Sequence, residues 1–175
     1  MPFLSKSTAI LVALSAALLA PAASADPPVG FRESVRLTPI AQALSGNPQA
    51  VVYCARTTAA MSERWQGATS VEAFTVYAEN AAYFQPYTCG ALERWLRGKP
   101  VTRYEVAMAA FMFGHEAVHL NDWSADERAA NCGSLATLAR TLRVHFAVKS
   151  PQAVREMVAA AREFTGRRSS LRFRC

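Results

Sequence analysis

The segment HEAVH places two histidines, His115 and His119, four residues apart, with Glu116 directly after the first. On an α-helix, side chains at positions i and i+4 lie one above the other, about 6 Å apart at Cβ. Two imidazoles in that arrangement can bind a single divalent metal ion, and the intervening glutamate can reach a water molecule on that ion. The spacing therefore predicts a metal site on a helix, with the histidines as ligands and Glu116 as a general base.

A third ligand must come from elsewhere, because a catalytic zinc ion usually has three protein ligands and one position left for water. The remaining histidine, His145, is 18 residues after Glu127 on the same predicted helix. That separation is about 27 Å along the axis, so the two cannot both lie near the metal. The nearer candidates are Asp122, Asp126 and Glu127. Glu127 also has a structural explanation, because Ser124-x-x-Glu127 has the form of an N-terminal capping box.

The longer segment HEAVHLNDWSADERAANC resembles the HExxH…ExxAxC segment of small exported bacterial proteins related to the gluzincin class of zinc peptidases. In that class a second helix carries a ligand glutamate and, four residues later, a residue that orients a ligand histidine. The resemblance implies His115, His119 and Glu127 as zinc ligands, Glu116 as general base and Asn131 as the orienting residue. It also implies the compact minigluzincin plan, in which a small sheet precedes the two zinc-binding helices.

Two features depart from the gluzincin pattern. Asn131 occupies a position that is often acidic, and an amide orients a histidine without raising its basicity as a carboxylate would. The linker between the two helices is also short, which requires a tight turn through residues 121–123. The metzincin motif is excluded, because Asp122 and Ala125 stand where it requires glycine and histidine.

The flanking sequence predicts the elements that position these residues. Hydrophobic periodicity, turn signals and helix-stop residues define short strands first and longer helices afterwards. The predicted strands cover residues 50–55, 71–78 and 81–84, and the predicted helices cover residues 39–44, 58–66, 88–97, 102–120, 124–147 (with Ser124 as N-cap) and 150–166. We therefore expect an α+β fold, in which a small antiparallel sheet is followed by a helical half that carries the HExxH helix.

The N-terminus has the pattern of a secretory signal peptide: Lys6, an apolar run over residues 9–20, and Ala23-Ser24-Ala25 as a cleavage site. The alternative, an uncleaved anchor, is disfavoured because the apolar run is short and the cleavage pattern is good. The expected organisation is a signal peptide (1–25), an N-terminal arm (26–49) and a single metallopeptidase-like domain (50–175). We therefore expect a secreted or periplasmic protein with no stable membrane anchor after cleavage.

The chain carries a formal net charge of +6 at pH 7. Its arginines are scattered, with a local concentration only near the C-terminus, so a solvated basic surface is favoured over a nucleic-acid site. A basic surface that binds anionic partners through its arginines stays open as a third hypothesis. This hypothesis predicts that polyanions retain the protein in a strongly salt-dependent manner.

All four cysteines, Cys54, Cys89, Cys132 and Cys175, follow the predicted cleavage site. An even number in an exported chain indicates two disulfides, and four cysteines allow three connectivities. We expect Cys89 to pair with Cys132, joining the first helix of the helical half to the ligand helix, and Cys54 to pair with Cys175. Cys132 is interpreted as half of a disulfide rather than as a metal ligand.

These features predict a secreted zinc-dependent peptidase that hydrolyses peptide bonds with a zinc-activated water and Glu116 as general base. The substrate is a peptide or protein, and zinc peptidases often hold it as an added strand along a sheet edge, for which residues 81–84 or residues 74–78 could serve. The favoured alternative for these residues is that they are part of the sheet core. The alternative is a catalytically inactive exported module that binds a metal on the same fold. An open coordination position beside Glu116 would distinguish the enzyme from the module.

Overall fold

The computed structural model describes residues 26–67, 71–167 and 175. The proposed signal peptide, residues 1–25, and residues 168–174 of the arginine-rich tail lie outside the described residues. The elements of the described part follow one another as β1 (Phe31–Glu33), α1 (Thr38–Ser45), β2 (Val51–Ala55), α2 (Thr58–Arg64), β3 (Ala73–Val76), a 3-10 turn (Tyr77–Glu79), β4 (Ala81–Phe84), α3 (Pro86–Leu96), α4 (Arg103–Asn121), α5 (Glu127–Val144) and α6 (Pro151–Arg167). The α+β class and the helical C-terminal half are confirmed.

The four described strands form one sheet in the order β1-β2-β4-β3. β1 pairs with β2, and β3 with β4, in antiparallel fashion, but β2 and β4 run parallel. The sheet is therefore mixed and not wholly antiparallel as the sequence predicted. The reason is the connection: α2 and β3 intervene between β2 and β4, and β3 runs back along the outer side of β4. β3 consequently lies at one edge of the sheet.

Side chains alternate between two cores along the central strands, as the two-residue period of a strand requires. On β4, Ala82 and Phe84 belong to the larger core beneath the helical half, while Ala81 and Tyr83 belong to a smaller core on the opposite face, to which α2 contributes. Residues 26–49, expected as an N-terminal arm, supply β1 to the sheet and α1, which packs against α4.

α4 is the central helix of the fold. It begins with a capping box, in which Thr102 and Glu105 each bond to the backbone amide of the other. Most residues between Val106 and Leu120 are buried, because the sheet, α1, α3, α5 and α6 surround the helix. Several faces of α4 are therefore buried at once. A helix buried on nearly all sides places its polar groups, including His115 and Glu116, in the interior.

The two disulfides join Cys54 to Cys89 and Cys132 to Cys175. The expected pairings, Cys89–Cys132 and Cys54–Cys175, are therefore wrong. Cys54 lies near the end of β2, and the first turns of α3 pack directly over that strand and bring Cys89 to it. Cys132 lies on α5, which packs against α6, the last helix before Cys175 in the sequence.

Two disulfides indicate an oxidising, extracytoplasmic environment. Among the described residues, no helix has both the length and the apolar character needed to span a bilayer. The signal peptide stays a prediction.

Replacing both Cys54 and Cys89 by alanine is expected to lower the free energy of unfolding by about 3–4 kcal/mol. The bridge closes a loop with a sequence separation of 35 residues, and loops of that size gain about this much from the restricted unfolded chain. Urea denaturation of the oxidised wild type and the double variant measures the difference. A loss under about 1 kcal/mol would contradict the expectation.

Candidate metal centre

Three side chains converge where α4 and α5 meet: His115, His119 and Glu127. One ligand atom from each lies within 4.8 Å of the others. Glu127 Oε2 is 3.2 Å from His115 Nε2, and Glu127 Oε1 is 3.5 Å from His119 Nε2. The histidines are 4% and 7% exposed, whereas the Glu127 side chain is 69% exposed. The two imidazoles are therefore on the buried side of the group, and the carboxylate is on the solvent side.

Close packing of α4 against α5 brings these residues together. Gly114 precedes the first histidine, and a Cβ at this position would lie 2.7 Å from the Ser134 hydroxyl oxygen. That hydroxyl donates a hydrogen bond to the backbone carbonyl of Phe111, at 2.6 Å. On α5, a Cβ at Gly133 would lie 3.0 Å from a Val118 methyl. Glycines on both helices allow the backbones to approach, so the first turn of α5 lies beside the HEAVH segment.

Asn131 holds the first histidine. Its Nδ2 donates to the carbonyl of Glu127 at 2.7 Å, so its Oδ1 faces His115 Nδ1, at 3.1 Å. The ring therefore carries its proton on Nδ1 and leaves the lone pair of Nε2 directed toward Glu127. Burial lowers the pKa of His115, which favours the neutral imidazole that a metal ligand requires.

Tyr77 holds the second histidine. Its hydroxyl lies 3.1 Å from His119 Nδ1, and this contact again leaves Nε2 directed toward the shared space. Partial burial raises the pKa of Tyr77, and the negative charges of Glu116 and Glu127 raise it further. The phenol is therefore neutral near pH 7. Both histidines are supported by neutral oxygen atoms rather than by carboxylates.

Glu116 lies behind the histidines and is 3% exposed. Its Oε2 accepts a hydrogen bond from the Thr75 hydroxyl at 2.8 Å, and its Oε1 lies 4.0 Å from His115 Nε2. Burial raises the pKa of Glu116 to about 8, although the Thr75 hydroxyl lowers it. One carboxylate oxygen is therefore fixed by β3, and the other faces the metal-binding group.

The other carboxylates considered from the sequence have structural roles. Asp122 caps the end of α4, and its carboxylate accepts hydrogen bonds from the amide and hydroxyl of Ser124. Asp126, not Ser124, is the N-cap of α5 and accepts from the amide of Ala129 at 2.7 Å. The predicted Ser124 cap is wrong, because this serine is bound in the turn with Asp122. Glu127 is the first residue of α5, and its carboxylate lies beside the histidines.

His145 lies at the opposite end of α5, where it is the C-cap residue. Its position agrees with the prediction that it cannot share a metal with Glu127. Cys132 is bound in a disulfide and is not available as a ligand.

Sequence reasoning did not identify Thr75 and Tyr77 as parts of this group. Thr75 lies on β3 and Tyr77 directly after it, and each precedes its partner, Glu116 or His119, by about 40 residues. The available signal was weak: Thr75 and Tyr77 lie on the same face of the predicted strand, but the other two residues of that face, Val71 and Ala73, are apolar. The partner of that face depends on how the sheet packs against α4, which periodicity alone does not determine.

The donor set fits a metal ion. Two neutral imidazoles and a carboxylate are a common ligand set of catalytic zinc sites, and each imidazole has its other nitrogen engaged, as metal-binding histidines require. His115, His119 and Glu127 could therefore hold a metal ion. Comparison with protein-family models, curated proteins and solved structures finds no significant match.

Replacing Tyr77 by phenylalanine is expected to weaken zinc binding about tenfold, because loss of the oxygen beside a ligand imidazole typically costs 10- to 100-fold in affinity. The side chain is 44% exposed, so folding should be unaffected. Competition with a chromogenic chelator measures the affinity. Tyr104→Phe, at another exposed tyrosine, on α4, serves as a control and should bind zinc as the wild type does. Equal affinities for all three proteins would contradict the supporting role of Tyr77.

Proposed function

We propose that this protein is an exported zinc-dependent peptidase. The observation that carries the proposal is the common focus of three donors, His115 Nε2, His119 Nε2 and a Glu127 carboxylate oxygen, with the buried carboxyl group of Glu116 directly behind it. A structural metal site would have no need of a fourth, non-ligating acid at that place. A hydrolytic site needs a base there.

Zinc is the metal we propose, because a ligand set of two histidines and one glutamate is typical of zinc peptidases. When bound, it supplies Lewis-acid activation of a water molecule and of the peptide carbonyl. The solvent-facing position of Glu127 leaves the group accessible from outside, which a substrate requires. The proposed resemblance to gluzincins is consistent with this arrangement and stays a prediction.

Glu116 is the proposed general base. Its Oε1 takes the proton of the attacking water and then delivers it to the leaving amine, so that one carboxylate serves both steps. The hydrogen bond from Thr75 to Oε2 fixes the orientation of the carboxylate.

The outer edge of β3, which pairs with no other strand in the described part of the chain, is the proposed binding surface for the substrate backbone. Of the two segments considered from the sequence, residues 81–84 form the interior strand β4, which is paired on both sides, so only the second is suitable. The amide of Gln85 donates to the carbonyl of Glu72, and alternation along the antiparallel pair therefore turns the backbone groups of Ala73 and Thr75 outward. Outward-facing groups can pair with an extended peptide beside Glu116.

The test combines metal content with cleavage. Protein expressed with its native disulfides should contain about one zinc per chain and should cleave members of a random peptide library, as mass spectrometry detects. A chelator should abolish cleavage and added zinc should restore it. Stoichiometric zinc without any cleavage would instead support the inactive exported metal-binding module. Absence of zinc binding would contradict both functions.

A further inference from the structure

A groove of about 550 Å³ runs between α5 and α6, which pack side by side. α5 contributes Ala139 and Arg143, which are one helical turn apart. The residues of α6 recur every three or four positions and therefore share one face of the helix: Pro151, Val154, Arg155, Val158, Ala159 and Arg162. This α5–α6 groove follows α6 for about 16 Å, the length of about five residues of an extended chain. It is therefore long enough to hold a segment of another polypeptide.

The charged side chains that line the α5–α6 groove in the described part of the chain are all arginines: Arg143, Arg155 and Arg162. All three are exposed. No carboxylate lies within ion-pair distance of any of them among the described residues, and every acidic residue of the chain belongs to that described part. The Nε of Arg143 donates to the carbonyl of Ala139 on its own helix, at 3.1 Å, which leaves its terminal NH₂ groups available.

Arginines elsewhere in the fold are neutralised by carboxylates. Such ion pairs join Arg32 and Arg97 to Glu93, Arg64 to Glu79, Arg94 to Glu105 and Arg103 to Glu156. The positive charge that remains is concentrated around the groove: residues 139–167 contain six basic and two acidic residues, a net charge of +4 in a chain of +6. Neither acidic residue, Glu156 or Glu163, is among the residues that line the groove. The groove therefore favours an anionic partner.

The floor of the groove between the arginines is apolar. Val154 is 4% exposed and belongs to the large core, and Val158 is partly buried against that core. Ala159 is exposed and adds a small apolar surface between Arg155 and Arg162. A partner that covers this floor must carry apolar groups as well as negative charges, because a polar group placed there would lose water without gaining a hydrogen bond.

We propose that the α5–α6 groove binds an acidic segment of a partner protein. The carboxylates of that segment pair with the three guanidinium groups, which can each hold a carboxylate through two hydrogen bonds, and its apolar side chains pack on the valines. Glu127 precedes Ala139 by 12 residues, about 18 Å along α5. The groove is therefore separate from the candidate metal centre, and the proposal does not depend on the peptidase function.

The geometry favours a peptide over the other anions that arginines bind. A sulfated polysaccharide offers hydroxyl and sulfate groups but no apolar side chains for the valine floor. A bilayer would require an apolar face that projects from the protein, whereas the apolar residues Ala153, Met157 and Ala161 of α6 are buried in the core. A concave surface between two helices instead suits a single chain that enters it.

Fluorescence anisotropy with labelled peptides and the disulfide-bonded protein tests the proposal. The acidic probe is a capped decapeptide with four glutamates, two leucines and otherwise serine and alanine. One control replaces its glutamates by glutamine, and a second replaces its leucines by serine. We expect the acidic probe to bind at least about tenfold more tightly than the glutamine peptide, as three exposed ion pairs allow, and about threefold more tightly than the leucine-free peptide.

Variants locate the binding surface. Arg155→Gln and Arg162→Gln should each weaken binding of the acidic probe about threefold, and together about tenfold. Arg36→Gln, an exposed arginine before α1 that also has no carboxylate within ion-pair distance, removes the same charge and should change the affinity less than twofold. Ala159→Glu places a like charge in the groove and should weaken binding at least about tenfold, whereas Ala159→Gln, of the same size, should weaken it much less.

Four results would overturn the proposal. The first is equal affinity for the acidic and glutamine peptides, and the second is an equal loss in Arg36→Gln and the groove variants. The third is tighter binding, through Arg155 and Arg162, of a heparin oligosaccharide or of vesicles containing one third phosphatidylglycerol in phosphatidylcholine, which would identify a glycan or a membrane as the occupant. The fourth is a dimer, detected by sedimentation, that Ala159→Glu dissociates, since the occupant would then be a second copy of this chain.

Discussion

Replacement of Glu116 by glutamine is expected to reduce kcat/KM for peptide cleavage by about a thousandfold, within the range that general acid–base groups contribute. Glutamine has nearly the same shape and can still accept the hydrogen bond from Thr75, but it cannot take up a proton. The loss should therefore be in kcat, with little change in KM. Steady-state cleavage of a library-selected peptide measures both.

Zinc content separates this effect from loss of the metal. His115, His119 and Glu127 are untouched in Glu116→Gln, so the variant should still bind about one zinc per chain. Glu63→Gln, an exposed glutamate on α2, provides a control for the substitution itself and should retain full activity. Glu116→Gln protein that keeps more than about a tenth of the wild-type kcat would show that another group is the base.

The parts of the site that follow from local sequence could be predicted. The spacing of His115 and His119 requires only that the segment be helical. Glu127 and Asn131 share a face of the next helix for the same reason. A capped helix, a short linker and a second capped helix leave few ways to arrange these residues, so local spacing alone is enough to make Glu127 a candidate ligand.

The parts that depend on distant packing could not be predicted. Thr75 and Tyr77 reach the site because β3 is an edge strand that packs against α4. The alternation of side chains along a single strand does not determine the order of the strands in the sheet. The cysteine pairing has the same origin. Cys54 meets Cys89 because α3 returns over β2, a contact between elements that only the three-dimensional arrangement defines.

Helix capping shows a subtler case. Ser124 and Asp126 are both good N-cap residues, and the sequence favoured the first because it also offered a capping box with Glu127. In the structure Ser124 is hydrogen-bonded to Asp122 within the turn, and Asp126 is the N-cap residue of α5. That shift releases the side chain of Glu127 from the helix terminus and directs it toward the histidines.

Replacement of Glu127 by glutamine is expected to weaken zinc binding by at least about a hundredfold. A directly coordinating group should cost more than the 10- to 100-fold lost when its supporting residues are changed, because a neutral amide replaces a negative ligand. Cleavage at limiting zinc should fall in parallel. The side chain is 69% exposed, and substitutions of such side chains usually change the free energy of unfolding by less than about 0.5 kcal/mol.

Asp126→Ala is the matched control at the neighbouring residue. It removes the hydrogen bond to the amide of Ala129 and should lower the free energy of unfolding of the metal-free protein by about 1 kcal/mol, with zinc affinity within about threefold of the wild type. If Glu127→Gln loses affinity for zinc and Asp126→Ala loses stability, Glu127 is the metal ligand and Asp126 is the cap of the helix. If Glu127→Gln instead loses stability and keeps its affinity for zinc, the glutamate serves the helix terminus and the proposed ligand set is wrong.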